Sequence, residues 1–302
     1  MSQKRSKHGR DLDKVFSEIE RLGLQQQIAE IDARGYTVIE RLMPDYQLET
    51  ARQVIADLCE KQTGTKVNFE TGEGHEDYRL IPWLLGRHPV FIDIMLNEKT
   101  LAVVRYLTGM SSQISTMACH FKGPGPGGEL TLHSDTLLPP PFPPYSVISN
   151  CNYALVDYTK EAGALATVPG SHRLSRHPRA FETRLVGPDA NPDAIPVECP
   201  AGSVVIWHGN QWHGSYPRTI PGLRLNLACV YTRPIIKPQE LYGTHLPQSL
   251  RDEYKDNADF RQLVGLNDTY GWTAEGPSYS DPLDGSRTQI DTVAYSSGNW
   301  HA

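Results

Sequence analysis

The sequence is short of cysteine, of long apolar runs and of positive charge. Its 302 residues include only 5 cysteines, an odd number, scattered and never in a Cys-x-x-Cys pair. That excludes a cysteine zinc site and a disulfide framework, and implies a reducing compartment, the cytoplasm. No stretch approaches the roughly 18 apolar residues needed to span a bilayer, so no membrane partner is expected. The N-terminus MSQKRSKHGRDLDK lacks the apolar core of a secretory signal. Basic residues number 29 against 35 acidic, a net charge of −6. A nucleic-acid partner is disfavoured, because phosphate neutralisation wants clustered Lys and Arg. The one basic run, Lys4, Arg5, Lys7 and Arg10, reads as a solvated tail.

Glycine (25) and proline (23) are plentiful, a composition that favours many short strands over a helical bundle. A chain of this length buries about three quarters of its unfolded surface and needs no disulfide staple. Helical spacing of Leu48, Ala51, Val54, Ile55 and Leu58 after Pro44-Asp45 predicts one helix, and 89–107, closed by Gly109, predicts a second. The polar stretch 63–80 between them reads as a surface loop. From residue 112 the pattern turns to short β-rich runs at 113–121, 145–156, 164–168, 203–207 and 223–232, punctuated by Pro and Gly. Such runs predict a sandwich or jelly roll. A polar helix over 250–264 follows, then a tail. The expectation is one domain, 1–302, mainly β with flanking helices. Residues 1–30 form an N-terminal helical extension, and 240–302 a C-terminal helix and tail.

The 11 histidines carry the chemistry. His-x-Asp on a strand puts both side chains on one face, because strand residues alternate sides. With a distant histidine it completes a 2-His-1-carboxylate triad, which holds ferrous iron and leaves positions open. Chance alone supplies about 0.7 such pairs here, so context must decide. His75-Glu-Asp77 lies in the polar loop and reads as a solvated charge cluster. His133-Ser-Asp135 enters the β-rich half after KGPGPGGELTL. For the distal ligand, His213 in QWHGS is followed eleven residues later by Arg224, a guanidinium suited to a carboxylate. His208 has Thr219 at that distance and reads as a packed histidine. So does His120, as a lining or core residue.

One pattern stays open at this point. Leu223, Leu225, Leu227, Cys229 and Tyr231 alternate with Arg224, Asn226, Ala228 and Val230. Patterning alone would bury the leucine face and leave Arg224 in water. A strand packed on both faces, with a polar cavity on one, is the other reading.

Taken in order, GYTVIE, His133-Ser-Asp135, ALVDYTKEAGALATVPGSH (154–172), PAGSVVIWHGNQWHGS (200–215) and Arg224 resemble the phytanoyl-CoA dioxygenase family of non-haem iron, 2-oxoglutarate-dependent oxygenases. The resemblance covers roughly 30–235. It implies a double-stranded β-helix, a cupin-like jelly roll. By matched position, it implies iron on His133, Asp135 and His213, and Arg224 on the far carboxylate of 2-oxoglutarate. Ser215, Asn152 and Thr131 match positions that touch the cosubstrate in some members. The expected cofactors are Fe(II), 2-oxoglutarate and O2. Related halogenases lack the carboxylate, so Asp135 implies hydroxylation, demethylation or desaturation of a small molecule. Two alternatives remain: a cupin-like binding protein without turnover, and a zinc hydrolase or isomerase using the same ligands. Specificity is expected from the rim, residues 63–87, 137–145 and the tail, with Arg79, Trp83, Lys122 and Arg176 as candidates for substrate contact.

Overall fold

In the computed structural model the chain is described over residues 7–125 and 130–266, with 272–273 and 276–277. Lys4, Arg5 and most of the tail lie outside the described residues. Helices α1 (Lys7–Leu22), α2 (Gln25–Arg34), α3 (Asp45–Thr63), α4 (Pro89–Met95) and α5 (Glu98–Thr108) come mostly before the strands. Twelve described strands follow or interleave with them. They are β1 (Tyr36–Ile39), β2 (Arg79–Ile81), β3 (Gln113–Lys122), β4 (Leu130–His133) and β5 (Ile148–Ala154). Then come β6 (Leu165–Thr167), β7 (Ile195–Val197), β8 (Val204–His208), β9 (His213–Ser215) and β10 (Arg224–Thr232). Short helices α6 (Tyr242–His245), α7 (Gln248–Glu253) and α8 (Ala258–Leu263) follow, and the two-residue strands β11 (Trp272–Thr273) and β12 (Gly276–Pro277) close the described part.

The helices form where their burial pattern lets them. In α3 the buried Leu48, Ala51, Ile55 and Cys59 recur on one face, and Gly64 (φ 73°) ends it with its N–H on the Glu60 carbonyl. The helix expected over 89–107 is two. Asn97 interrupts it: its side chain accepts from the backbone N–H groups of Lys99 and Thr100 and so starts α5 as an N-cap. The polar helix expected over 250–264 is likewise split into α7 and α8. There Asn257 accepts from Phe260 N–H. In both cases a short polar side chain takes up backbone donors and starts a new helix inside the expected one.

Strands β1 to β10 make two antiparallel sheets, and β11 and β12 pair only with each other. The larger has the order β1-β8-β5-β10-β3-β2 and the smaller β4-β9-β6-β7. This is the jelly-roll layout of a cupin-like fold, although the two sheets do not join into a closed barrel. Parity assigns the faces of the large sheet. Cys119, Phe121, Cys151, Tyr153, Leu225, Leu227, Cys229, Val204 and Ile206 pack with the helical residues of α3, α4 and α5 in one core. The alternate residues, among them Arg224, Asn226, Asn150, Asn152 and Trp207, line a cavity shared with Leu165, His213 and Gly214 of the small sheet. Of the two readings open for 223–232, the strand packed on both faces is correct: Arg224 is only 4% exposed.

The loop 63–80 departs from expectation. His75 is 1% exposed, with its ring nitrogens facing Cys59 Sγ and the Lys66 carbonyl, and its ring edge against Phe121. It pins the loop to α3 and β3 instead of standing in water. A buried imidazole has few such partners to find, and here backbone carbonyl and thiol supply them.

Candidate active site

His133 ends β4 and His213 begins β9, and the two residues are paired in register across the small sheet. Asp135 follows two residues after His133. One ligand atom from each lies within 4.8 Å of the others. His213 Nε2 is 3.2 Å and His133 Nε2 3.6 Å from the Asp135 carboxylate oxygens. Both imidazoles are held by the other nitrogen: His133 Nδ1 faces the Thr131 carbonyl at 2.8 Å, and His213 Nδ1 faces that of Gln211 at 3.0 Å. That turns both Nε2 atoms towards Asp135, where a metal would sit, with the rings oriented from behind. Asn150 Nδ2 donates to Asp135 Oδ2 at 2.7 Å and orients the carboxylate.

The electrostatics keep a charged ligand set. Burial pushes the Asp135 carboxyl up, but His213, its hydrogen bond, His133 and Asn150 outweigh this and hold it below the usual value. For His213 burial pushes down and Asp135 more than restores it, whereas burial and then His213 hold His133 below its ordinary value.

The triad opens on a cavity of about 250 Å³ between the two sheets. Arg224 lies on its wall. Its Nε donates to the Gly163 carbonyl at 2.8 Å, while Nη1 is buried without a hydrogen-bond partner among the described residues. Gly163 (φ 84°) must be glycine, since a Cβ there would stand 2.9 Å from Arg224 Cδ.

The profile of the phytanoyl-CoA dioxygenase (PhyH) family matches residues 31–224, a span that holds the triad and ends on Arg224. The chain belongs to the phytanoyl-CoA dioxygenase family. It is therefore a non-haem iron, 2-oxoglutarate-dependent dioxygenase. A relative named probable phytanoyl-CoA dioxygenase, from Caenorhabditis elegans, is 26% identical over 227 residues, 66% of this chain and 72% of the relative. Among solved structures, HygX from Streptomyces hygroscopicus, with nickel and 2-oxoglutarate bound, aligns at TM-score 0.56 and 20% identity. That alignment covers 71% of this chain and 88% of HygX. EctD from S. alaskensis, with 2-oxoglutarate and 5-hydroxyectoine, aligns at 0.55 and 22%, covering 69% and 76%. At these identities the two structures speak for the fold.

The residues of this phytanoyl-CoA dioxygenase family member fit both groups the family uses. Two Nε2 atoms and a carboxylate that converge on one point suit ferrous iron. An unpaired, buried guanidinium nitrogen in the same cavity suits a carboxylate. Of the other expected contacts, Asn152 lines the cavity. Ser215 is buried with Oγ accepting from Leu130 N–H at 3.1 Å. Thr131 has an exposed side chain, and what it offers is the carbonyl behind His133. His208 is packed, with Nδ1 accepting from Asn210 N–H and its ring 5.4 Å from that of His172. His120 lines the cavity and is hydrogen-bonded to the Tyr78 hydroxyl at 2.7 Å.

None of the four rim candidates lines the cavity. Arg176 pairs with Glu182 and stacks on Trp212, beside a separate groove of about 890 Å³. Lys122 is 2% exposed and donates to the Glu76 carbonyl at 2.8 Å. Trp83 packs on Tyr242 and His245. Beside Arg79 it is Leu80 that reaches the cavity, together with Gln239 and Thr116. Sequence reasoning did not find Asn150, Asn226 or Gln239. The alternation of 223–232 could have found Asn226, since it shares a face with Arg224.

Two expectations follow from these contacts. Asn150→Ala removes the donor that orients Asp135. The iron dissociation constant should rise about 10- to 100-fold, as for other outer-shell partners. Metal titration of the refolded variant checks this, and unchanged affinity would discard the orienting role. The second concerns acid. Burial pushes His120 down to about 3, His172 to about 4 and His208 well below its ordinary value. The unfolded chain takes up these protons near pH 6.5 and the folded chain does not. Stability is therefore lost as pH falls from about 6.5 towards 4, at most about 1.4 kcal/mol per pH unit for each histidine. Urea midpoints at pH 7.5, 6 and 5 read it, and a flat profile would refute it.

Proposed function

We propose that His133, Asp135 and His213 hold the iron, that Arg224 holds the far carboxylate of 2-oxoglutarate, and that the chain hydroxylates a small molecule. The observation that carries this is the buried, unpaired Arg224 Nη1 in the cavity that the triad lines. A guanidinium left unpaired there would be costly without an anion to meet it. Iron and 2-oxoglutarate together supply the oxidant: 2-oxoglutarate, O2 and a C–H bond become succinate, CO2 and C–OH.

The chain's own work is orientation. Thr131 and Gln211 carbonyls fix the imidazoles, and Asn150 fixes Asp135. The Gly163 carbonyl aims Arg224. Ser215 and Asn152 serve the cosubstrate at the small and large sheets respectively, and Thr131 contributes through its backbone. Trp207, its ring 4.8 Å from that of His213, shields the site from water. The substrate enters past Leu80, Thr116 and Gln239. HygX has been crystallised with hygromycin B and EctD with 5-hydroxyectoine, which supports a small molecule here.

The whole chain, 1–302, is read as one oxygenase domain. Arg105 of α5 supports this by pairing with both Glu18 of α1 and Asp259 of α8, so both flanks close on the central helix. All five cysteines are free and buried, which supports a reducing, cytoplasmic setting. No described helix is long and apolar enough to cross a membrane.

Anaerobic protein given ferrous iron and 2-oxoglutarate should develop a visible charge-transfer band. With candidate metabolites in air it should release one succinate per oxygen gained, read by mass spectrometry. A protein that develops no band does not hold the two groups together, and one that shows the band yet releases no succinate is a binding protein; either result would overturn the proposal.

A further inference from the structure

Asn226 is fully buried, and neither Nδ2 nor Oδ1 has a hydrogen-bond partner among the described residues. It lines the same cavity as the triad. An unpaired buried amide costs stability, and the sheet face around it accepts small residues, Ala118, Ala154 and Ala228, without difficulty. A polar group retained at such a place points to a ligand.

Register locates that ligand. Along β10 the inward row of Arg224 faces Lys122 on β3; the next row is Asn226 with His120 and Ala154. Beyond lie Ala228 with Ala118 and Asn152, then Val230 with Thr116 and Asn150, the residue that orients Asp135. Asn226 therefore sits one row from the guanidinium, on the way to the metal ligands. It is not bonded to Arg224, since Arg224 Nη1 is itself unpartnered.

We propose that Asn226 is a second anchor for the far carboxylate of 2-oxoglutarate, its Nδ2 donating beside Arg224 Nη1. The inference rests on the reading that Arg224 holds that carboxylate. The residue type fits the task. An aspartate in this row would pair with Arg224 and close the receptor, and an alanine would leave the carboxylate one donor short. An amide donates to the anion without competing for the guanidinium.

The test is calorimetric titration, under nitrogen, of full-length Mn(II)-loaded protein with 2-oxoglutarate. In parallel it uses 2-oxopentanoate, which has the same keto acid end and no far carboxylate. Asn226→Ala should weaken 2-oxoglutarate about tenfold or more, the worth of one hydrogen bond to a charged group. Asn226→Asp should weaken it by more than about a hundredfold, because Arg224 is then occupied. Neither variant should change 2-oxopentanoate. Equal loss of both acids would mean a packing role and overturn the inference, as would unchanged 2-oxoglutarate affinity. Arg224→Gln is the control on the reading beneath: if it binds 2-oxoglutarate normally, that reading fails whatever Asn226 does.

Discussion

Asp135→Ala is expected to abolish both iron retention and substrate-dependent succinate release. Losing an outer-shell partner of a metal ligand costs about 10- to 100-fold, so losing the only carboxylate of the triad should cost more than about 100-fold in metal affinity. The geometry explains why nothing replaces it. His133 and His213 direct Nε2 at the carboxylate from 3.6 and 3.2 Å, and Asn150, which would be left behind, offers a donor. Two neutral imidazoles without a counter-charge hold ferrous iron weakly. Iron content after dialysis and succinate release should fall together. A variant that keeps its iron and turns over would remove Asp135 from the ligand set.

Arg224→Gln is expected to leave iron binding intact and weaken 2-oxoglutarate severely. Truncating one side of a buried, hydrogen-bonded charge pair costs about 2–5 kcal/mol, roughly 30-fold to several thousand-fold in affinity. Arg224→Lys should recover part of this only. Its point charge survives, but the fork that meets both Gly163 and an anion is lost. The two substitutions thus separate the site into halves: Asp135 is read in metal content, Arg224 in cosubstrate affinity at constant metal. An Arg224→Gln protein with normal 2-oxoglutarate affinity would mean that another cation holds the carboxylate.

Much of this was legible in the residues. The His133-Ser-Asp135 pair, the distal His213 and the eleven-residue step to Arg224 depend on spacing along strands, and spacing survives folding unchanged. The five β-rich runs from 113 to 232 became β3, β5, β6, β8 and β10 for the same reason. What escaped depends on contacts between distant segments. His75 looks like a loop residue until Cys59 and Lys66 are brought to it. Lys122 looks like a rim cation until the Glu76 carbonyl meets it inside. Asn97 and Asn257 are of the residue type that caps helices, but the helical patterns over 89–107 and 250–264 run through both positions unbroken. Asn150 carries no signal at all in its own neighbourhood; only the fold puts it 2.7 Å from Asp135.

The irregularity in the β3–β10 ladder has an evolutionary consequence. Val230 pairs with Thr116 and Tyr231 with Ile114, so Ser115 is the extra residue, and its hydroxyl and carbonyl accept from Gln239 and Glu240 instead. A one-residue slip nearer the start of β10 would replace Arg224 by Leu225 in the cavity and turn the guanidinium towards the helices. The bulge falls beyond the rows that carry Arg224, Asn226 and Ala228. Gains and losses of residues can therefore accumulate past it, where Gln239 lines the cavity, without disturbing the machinery upstream. New substrates would be acquired by changing chain length at that end, while β10 from Arg224 to Val230 drifts only by substitution.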